Sequence, residues 1–339
     1  MEFLVSRIYE FFKQKEKSLD DFLKTLPNYI NQTDDAKISK LDYSLALRIS
    51  KLCKFLLNEG LLLQTYSNPL MCICDKYISV NEINSTNPQE LLSDIQYGTF
   101  DFKFNGFISI FETFKESVVP IECIKSNGDH DIGTAFYIGN NMFVTAAHCV
   151  TKLEKFKLLI GNNPIKLNEV WLSTRNNPDI YDLAIIVAET PEIRPFQLDK
   201  SNVLDNVLLM GYPPIPGMNP VLISEKASIG TDLQRLIEKT AIGQIAAEPA
   251  SSYFSPMDYF IINARVKGGN SGSPVINEYG KVVGMVFEIP FDSKGGSDSG
   301  RYDIMGFGIC FPSKYIEELQ EEHSVQLLKE CQGYFAFND

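Results

Sequence analysis

Apolar residues recur at helical spacing through the first sixty residues. They predict one helix over 3–12, a second that opens at Ser18, and a third from near Thr33 to Glu59. Ser18 can cap the second helix, and the two aspartates that follow it suit the positive end of a helix dipole. Gly60 is a natural C-terminal stop for the third helix. The first part of the chain is therefore predicted to be α-rich.

The pattern changes after Gly60 to strand, turn and strand, with strands predicted over 61–66 and 71–74 around Ser67-Asn68-Pro69. Three helices followed by a hairpin is the layout of a winged helix. The other interpretation is a small docking or assembly module, and the absence of a basic stripe favours it over DNA binding. We therefore expect a regulatory or adaptor module over 1–80, with a winged-helix-like arrangement left open.

Residues 81–106 are predicted to be a linker. Its polar part, 81–97, is expected to hold a short helix, and Phe100, Phe102 and Phe104 then alternate with polar residues, which predicts a half-buried strand. From Val118 onward, short apolar runs alternate with turn residues, which indicates a barrel or sandwich rather than parallel α/β units. Helical spacing returns over 313–331. The expected architecture is α+β overall, with a β-rich domain over 107–335 that ends in a C-terminal helix.

Three segments of the β-rich part carry candidate chemistry. Ser271 lies between glycines in Gly268-Gly269-Asn270-Ser271-Gly272-Ser273-Pro274, a pattern that presents a hydroxyl on a tight turn. His148 follows an apolar run in Thr145-Ala146-Ala147-His148-Cys149. Asp182 precedes the apolar run 183–187, with Asp179 as a competing acid. A serine hydroxyl is a weak nucleophile until a base accepts its proton, so this combination of residue types indicates nucleophilic catalysis.

The order His148, Asp182, Ser271 is that of the chymotrypsin-type triad, and the chain resembles the serine endopeptidases of that family over about 107–330. It is similar to two branches, the Deg/high-temperature-requirement proteases and the glutamyl endopeptidases. The matching strand blocks include 133–136, 209–213 and 241–245. This resemblance implies a double antiparallel β-barrel, peptide or protein substrates, and neither a cofactor nor a metal.

The resemblance also assigns roles. His148 would act as the base, Asp182 would orient it, and Ser271 would be the nucleophile. Backbone N–H groups of Gly269 and Ser271 would form the oxyanion hole. Arg265 would lie at the base of the substrate pocket, with Ile289 and Gly306 on its walls. A basic floor would favour an acidic side chain before the cut, but Arg265 could equally point to solvent.

The chain departs from the family pattern at several positions. Asn270 replaces the aspartate that ion-pairs with a newly cut N-terminus in secreted relatives, and Val286 replaces the pocket histidine of glutamyl endopeptidases. No PDZ module is expected after residue 331. Control is therefore expected from another route, either the Gly/Ser-rich loop 291–300 or a protein partner, or self-assembly, acting through residues 1–80.

Composition restricts the class further. The net charge of −12 argues against a nucleic-acid partner, and no apolar run is long enough for a membrane helix. The first residues lack the pattern of a secretory signal. Seven scattered cysteines, with Gly133 where the family places the disulfide partner of Cys149, indicate reduced thiols. We expect no zinc site, and we expect a cytoplasmic location.

The sequence therefore predicts a serine endopeptidase that works through an acyl-enzyme, regulated through its N-terminal module. A role in a bacterial defence or stress system is an extension by analogy with proteases fused to small adaptor domains. The alternative is a catalytically silent protease fold that binds peptides by adding them to a strand near 286–290.

Overall fold

The structure is a computed structural model in which the chain forms two compact units, Met1–Gly106 and Phe107–Asp339. It describes residues 3–26, 30–31, 40–41, 43–80, 87–126, 128–151, 153–161, 163–174, 181–213, 239–252, 255–264, 266, 268–288 and 307–338.

The first unit consists of helices around a small antiparallel sheet. Its helices are α1 (Leu4–Phe12), α2 (Leu19–Leu23), α3 (Tyr43–Asn58), α4 (Pro88–Tyr97) and α5 (Thr99–Asn105). Its strands are β1 (Lys17–Ser18), β2 (Ile30–Asn31), β3 (Lys40–Leu41), β4 (Leu62–Tyr66) and β5 (Lys76–Ser79). Strands β1, β5 and β4 form the sheet in that order, and β2 pairs with β3. The core is formed by α1–α4 with Leu61, Leu62 and Tyr77.

The predicted helix signals act where the sequence placed them. Ser18 and Asp21 form a capping box: Ser18 Oγ accepts the Asp21 N–H at 3.1 Å, and the Asp21 carboxylate accepts the Ser18 N–H at 3.1 Å. Gly60 ends the α3 segment with a φ of 77°. Helix α3 itself starts later than expected, at Tyr43, because β3 occupies Lys40–Leu41.

The hairpin is longer than the sequence suggested. Its second strand is β5, and Cys72–Cys74, predicted to be that strand, is one turn of 3-10 helix. Side-chain hydrogen bonds explain the difference. Asn68 Oδ1 accepts the N–H groups of Leu70 and Met71, and Asp75 Oδ1 accepts the Asn68 N–H at 2.7 Å. These bonds stabilise an extended turn between β4 and β5.

The linker prediction is corrected for residues 88–105, which form α4 and α5, so Phe100, Phe102 and Phe104 lie on a helix and not on the predicted strand. Asn87 caps α4 by accepting the Gln89 N–H at 3.0 Å, and Pro88 occupies the first helical position. Leu91 and Ile95 of α4 belong to the core of the first unit. The short helix expected within 81–97 is therefore present, as α4. The winged-helix arrangement remains a prediction.

One buried carboxylate joins the two ends of this unit. Helix α1 has no side-chain cap at Phe3, and Asp101 of α5 instead accepts the N–H groups of Leu4 and Val5 at 3.1 and 3.3 Å. Asp101 is 6% exposed. Burial raises the pKa of Asp101 to about 6, against the backbone hydrogen bonds, which lower it.

Because the pKa of Asp101 is raised in the folded state, we expect the free energy of unfolding to depend on pH. The folded-state pKa of Asp101 lies above its unfolded value, so the folded state binds the proton more tightly, and stability falls as pH rises from about 4 to about 6. Asp101→Asn keeps an acceptor for Leu4 and Val5 but cannot ionise. We expect the variant to gain roughly 2–3 kcal/mol relative to wild type between pH 4 and pH 7, measured by urea unfolding. A difference that does not change with pH would contradict this account of Asp101.

The second unit begins with α6 (Phe107–Phe114) and contains two closed antiparallel barrels. The first barrel uses β6 (Val118–Ile124), β7 (His130–Gly139), β8 (Met142–Thr145), α7 (His148–Thr151), β9 (Lys155–Ile160), β10 (Asn163–Pro164), β11 (Leu167–Leu172) and β12 (Ala184–Ala188). The second uses β13 (Asn206–Gly211), β14 (Lys239–Ser252), β15 (Ser255–Ile262), β16 (Pro274–Asn277), β17 (Val282–Glu288) and β18 (Gly308–Pro312). The predicted double antiparallel β-barrel is thereby confirmed.

The C-terminal segment differs from the prediction of one helix over 313–331. The helix α8 covers Lys314–Glu321, and two strands follow, β19 (Ser324–Cys331) and β20 (Tyr334–Phe337). Gln332 and Gly333 have positive φ and form the turn between them. Strand β19 pairs with β11 and β20 pairs with β9, while β6 also pairs with β9. The hairpin therefore takes part in closing the first barrel, and residues up to Phe337 belong to this unit.

Candidate active site

Strand pairing places Asp182 beside His148. Thr145, the last residue of β8, pairs with Ala184, the first residue of β12. His148 follows β8 by three residues, at the start of α7, and Asp182 precedes β12 by two. Because the two strands are antiparallel neighbours, both side chains emerge at the same edge of the first barrel.

Asp182 accepts two hydrogen bonds from His148. One oxygen accepts the backbone N–H at 2.8 Å, and the other lies 2.6 Å from Nδ1 of the ring. An ionised carboxylate at that distance keeps the proton on Nδ1. In the neutral ring, Nε2 is then the nitrogen that can accept a proton. The competing acid, Asp179, lies outside the described residues.

The ion pair also changes the titration of the ring. Desolvation opposes the charged form of the imidazole, but the hydrogen bond with Asp182, the interactions with Cys149 and the charge of Asp182 together outweigh this cost, so the pKa of His148 is raised. A histidine whose charged form is stabilised in this way can accept a proton during a reaction and release it later.

Ser271 lies on a tight loop between β15 and β16. Gly269 and Gly272 adopt left-handed φ values of 88° and 86°. At Gly272 a side chain is excluded twice, because its Cβ would also lie 2.0 Å from the carbonyl oxygen of Thr134. The Ser271 carbonyl accepts the Thr134 N–H at 2.9 Å. The loop of the second barrel is thus attached to β7 of the first.

Ser271 and His148 line one cavity of about 300 Å³, referred to below as the cleft. Gly269, expected in the oxyanion hole, lines it as well. The lining residues are Cys123, Lys125, Asp131, Ile132, Gly133, His148, Cys149, Leu153, Gly268, Gly269 and Ser271. A larger cavity of about 410 Å³ beside Tyr212 has no serine, cysteine or histidine in its wall, so it lacks a nucleophile and a base of this kind. The three predicted pocket residues, Arg265, Ile289 and Gly306, lie outside the described residues, as does the loop 291–300.

The model of the trypsin-like peptidase domain family matches residues 133–285, a segment that contains His148, Asp182 and Ser271. The chain carries a trypsin-like peptidase domain.

The peptidase domain has curated relatives among the HtrA-like serine proteases. One from Staphylococcus epidermidis is 26% identical over 256 residues, which cover 66% of this chain and 39% of that protein. One from Staphylococcus aureus is 26% identical over 181 residues, which cover 52% of this chain and 22% of that protein. The chain therefore spans less than half the length of these relatives.

Solved structures are similar at a lower level. The active form of the Rv3671c protease from M. tuberculosis superposes with a TM-score of 0.47 at 19% identity, covering 66% of this chain and 87% of that one. The HtrA-type protease AlgW with a tripeptide gives a TM-score of 0.46 at 17% identity, covering 64% of this chain and 62% of that one.

The peptidase cleft contains a thiol whose contacts the sequence did not reveal. Cys149 is buried, and its Sγ lies 3.8 Å from the Ser271 carbonyl oxygen. Burial raises the pKa of the Cys149 thiol, so it is uncharged at neutral pH and is not a competing nucleophile. All seven cysteines are unpaired. The one sequence signal for this contact was Gly133, which leaves the space that Cys149 occupies.

The packing of Gly133 on Cys149 gives a testable consequence. A Cβ at Gly133 would lie 2.5 Å from Cys149 Sγ, so Gly133→Ala must displace Cys149, the residue that directly follows His148. We expect kcat/KM of Gly133→Ala to fall by about tenfold to a hundredfold, because small displacements of catalytic groups are costly. Cys149→Ala alone should stay within a few-fold of wild type.

The double variant Gly133→Ala/Cys149→Ala is the control. Removal of Sγ leaves Cys149 Cβ as the nearest side-chain atom, at 3.2 Å, so most of the lost activity should return. Peptide-cleavage kinetics measure all three variants. If the double variant is no better than Gly133→Ala, the clash with Cys149 is not the cause.

The described residues contain no cluster of three or more histidine, cysteine, aspartate or glutamate side chains that could bind a metal ion. Across the same part of the chain, no helix is both long enough and apolar enough to cross a membrane.

Proposed function

We propose that the protein is a serine endopeptidase that cleaves peptide bonds through an acyl-enzyme on Ser271, with His148 as the base and Asp182 as its orienting acid. The observation that carries this proposal is the pair of hydrogen bonds that His148 donates to Asp182 in the cleft that Ser271 also lines. The two bonds leave Nε2 as the only ring nitrogen of a neutral His148 that can take the serine proton.

In the first half of the reaction, Ser271 Oγ attacks the carbonyl carbon of the substrate while its proton moves to His148 Nε2. The tetrahedral intermediate then collapses, and the leaving amine departs with that proton. In the second half, water gives a proton to His148 and attacks the ester. The second tetrahedral intermediate then collapses, His148 returns the proton to Ser271 Oγ, and the acid is released. Asp182 stabilises the imidazolium in both halves and stays ionised.

The negative charge of the intermediate requires donors beside Ser271. The backbone N–H groups of Gly269 and Ser271 are the proposed pair, and one such donor lowers the barrier by on the order of 3 kcal/mol. The left-handed φ of Gly269 lets the chain turn sharply just before the nucleophile.

The cleft is also the proposed site for a substrate side chain next to the scissile bond. Its walls include Ile132 and Leu153, and a Lys125–Asp131 ion pair of 2.9 Å is exposed at the same site. The two charges of the ion pair cancel, so this lining fits an apolar side chain. Recognition of an acidic side chain before the cut, through Arg265, stays a proposal beside it.

Mapping of cut sites in a peptide library tests this function. Wild type is expected to cut and Ser271→Ala to leave the library intact. If wild type prefers an acidic residue before the cut and Arg265→Ala does not, Arg265 lies at the pocket floor. Peptide binding without any cleavage by wild type would instead support the silent binding module.

Regulation is proposed to act through residues 1–80, by a protein partner or by self-assembly, in the cytoplasm and in a bacterial defence or stress system. The hairpin of the first unit supports a docking role, because it exposes apolar side chains on β4 and on the turn after it. These are Leu63, Tyr66, Leu70 and Met71, which are 57%, 49%, 92% and 53% exposed. Exposed apolar patches often mark contacts with another molecule, and we propose that these side chains make such a contact.

Leu70→Asp/Met71→Asp tests this regulation in the full chain. We expect the isolated wild-type chain to be weakly active and to gain at least about tenfold on engaging its partner or assembling, a gain the variant loses. The same basal activity is expected for both, because no catalytic residue changes. Leu204→Asp, at a position 71% exposed in the second unit, is the control. Equal activation of both proteins would exclude the hairpin as the docking surface.

A further inference from the structure

Thr134 has contacts that neither the triad nor the cleft accounts for. It lies on β7 of the first barrel and is completely buried. Its hydroxyl donates to the Gly269 carbonyl at 2.7 Å, and its backbone N–H donates to the Ser271 carbonyl at 2.9 Å. One residue of the first barrel therefore bonds to both sides of Asn270 in the nucleophile loop of the second.

The same hydroxyl has a second partner. It accepts the backbone N–H of Tyr212, just after β13, at 3.1 Å. The Thr134 carbonyl accepts the Thr145 hydroxyl at 2.8 Å, which fixes the strand from the other side. Thr134 thus has a partner for its hydroxyl hydrogen, its hydroxyl oxygen, its N–H and its carbonyl, and its rotamer is determined by its surroundings.

These bonds fix three successive peptide planes around the nucleophile. The Gly269 carbonyl is bound by Thr134 Oγ1, the Asn270 carbonyl by the Ser273 N–H at 2.9 Å, and the Ser271 carbonyl by the Thr134 N–H. A trans peptide directs its N–H opposite to its C=O. A fixed Asn270 carbonyl therefore fixes the direction of the Ser271 N–H. A fixed Gly269 carbonyl fixes the peptide between Gly269 and Asn270, which links the peptide that carries the Gly269 N–H to the one that carries the Ser271 N–H.

Of these three bonds, one depends on a side chain, the hydroxyl of Thr134. We propose that Thr134 is a positioning residue for the oxyanion hole: its hydroxyl, donating to the Gly269 carbonyl, keeps the N–H groups of Gly269 and Ser271 aimed at the developing oxyanion. This inference rests on the proposed function, since it deepens the role of the same loop. Thr134 does not touch the substrate and acts through the backbone of residues 269–271.

The test compares Thr134→Val, which has nearly the same shape but no hydroxyl, with Thr134→Ser, which retains the hydroxyl. We expect kcat of Thr134→Val to fall by about a hundredfold with KM within about threefold of wild type, because oxyanion stabilisation acts on the transition state. Thr134→Ser should stay within a few-fold of wild type.

Two readouts separate positioning from a general loss of structure. Affinity for a peptide boronic acid, which forms a tetrahedral adduct with the serine, should fall in parallel with kcat/KM in Thr134→Val, while the acid limb of the pH profile should not move. Ser117→Ala is the control, because Ser117 is also buried and donates its hydroxyl to a carbonyl, that of Arg194 at 2.5 Å, away from the loop. Its kcat should match wild type.

Normal kcat and boronate affinity in Thr134→Val would overturn the proposal, and so would an equal loss in Ser117→Ala. If Thr134→Val does not fold, Thr134→Cys supplies a weaker donor of similar size, and a kcat unchanged from wild type would then overturn it. Wild-type cleavage that depends on Ser271 leaves the proposed function standing in every one of these cases. A wild-type protein that does not cleave at all would instead fail the proposed function.

Discussion

Ser271→Ala and His148→Ala are each expected to lower kcat/KM by about 10⁴-fold or more, and the double variant to be hardly slower than either single one. The reason is that Ser271 Oγ and His148 Nε2 act in one proton transfer. Once either is gone, the other has nothing left to contribute. Initial rates of peptide cleavage measure the three variants.

A matched control is available for the histidine. His130 lies on β7, is half exposed and contacts Glu122 at 3.5 Å, so His130→Ala removes an imidazole without touching the proposed triad. Its kcat/KM should match wild type. Losses that multiply in the double variant would mean that Ser271 and His148 act independently, which contradicts the shared proton transfer.

Asp182→Asn is expected to lower kcat by about 10⁴-fold while the fold is retained. The asparagine oxygen can still accept the His148 backbone N–H, but its amide nitrogen would face Nδ1. The amide donates a hydrogen bond, so the neutral ring would carry its proton on Nε2, where it cannot accept one from Ser271. The effect is chemical, because the size of the side chain hardly changes.

The same variant changes the pH profile in a direction the structure specifies. The Asp182 carboxylate raises the pKa of His148, and catalysis needs the neutral ring. Without that charge the pKa falls, and the acid limb of kcat/KM in Asp182→Asn should move to lower pH. An acid limb at higher pH, or a loss of less than tenfold in kcat, would contradict the role assigned to Asp182.

The sequence was sufficient for the double barrel because alternation within short strands is a local signal, and for the contact of Asp182 with His148 because both lie beside the ends of paired strands. It was insufficient where long-range contacts decide. Thr134 is one polar residue in an apolar strand, and its bonds to Gly269 and Ser271 span more than 130 residues.

Two local errors have physical causes as well. Polar residues over 81–97 suggested a linker with a short helix, whereas Asn87 caps a helix whose apolar residues belong to the core of the first unit. Helical spacing over 313–331 continued past the true end of α8, because the residues of β19 gain their pairing from β11, about 150 residues earlier. The core against which α4 packs and the strand with which β19 pairs both lie elsewhere in the chain, so neither can be recognised from the local sequence.

Reaction with a fluorophosphonate probe shows whether Ser271 is an activated nucleophile. We expect one covalent adduct per chain, located on Ser271 by mass spectrometry of the digested protein, lost in Ser271→Ala and strongly slowed in His148→Ala. No adduct on the folded, peptide-cleaving protein, or an adduct on another residue that survives Ser271→Ala, would contradict this role of Ser271.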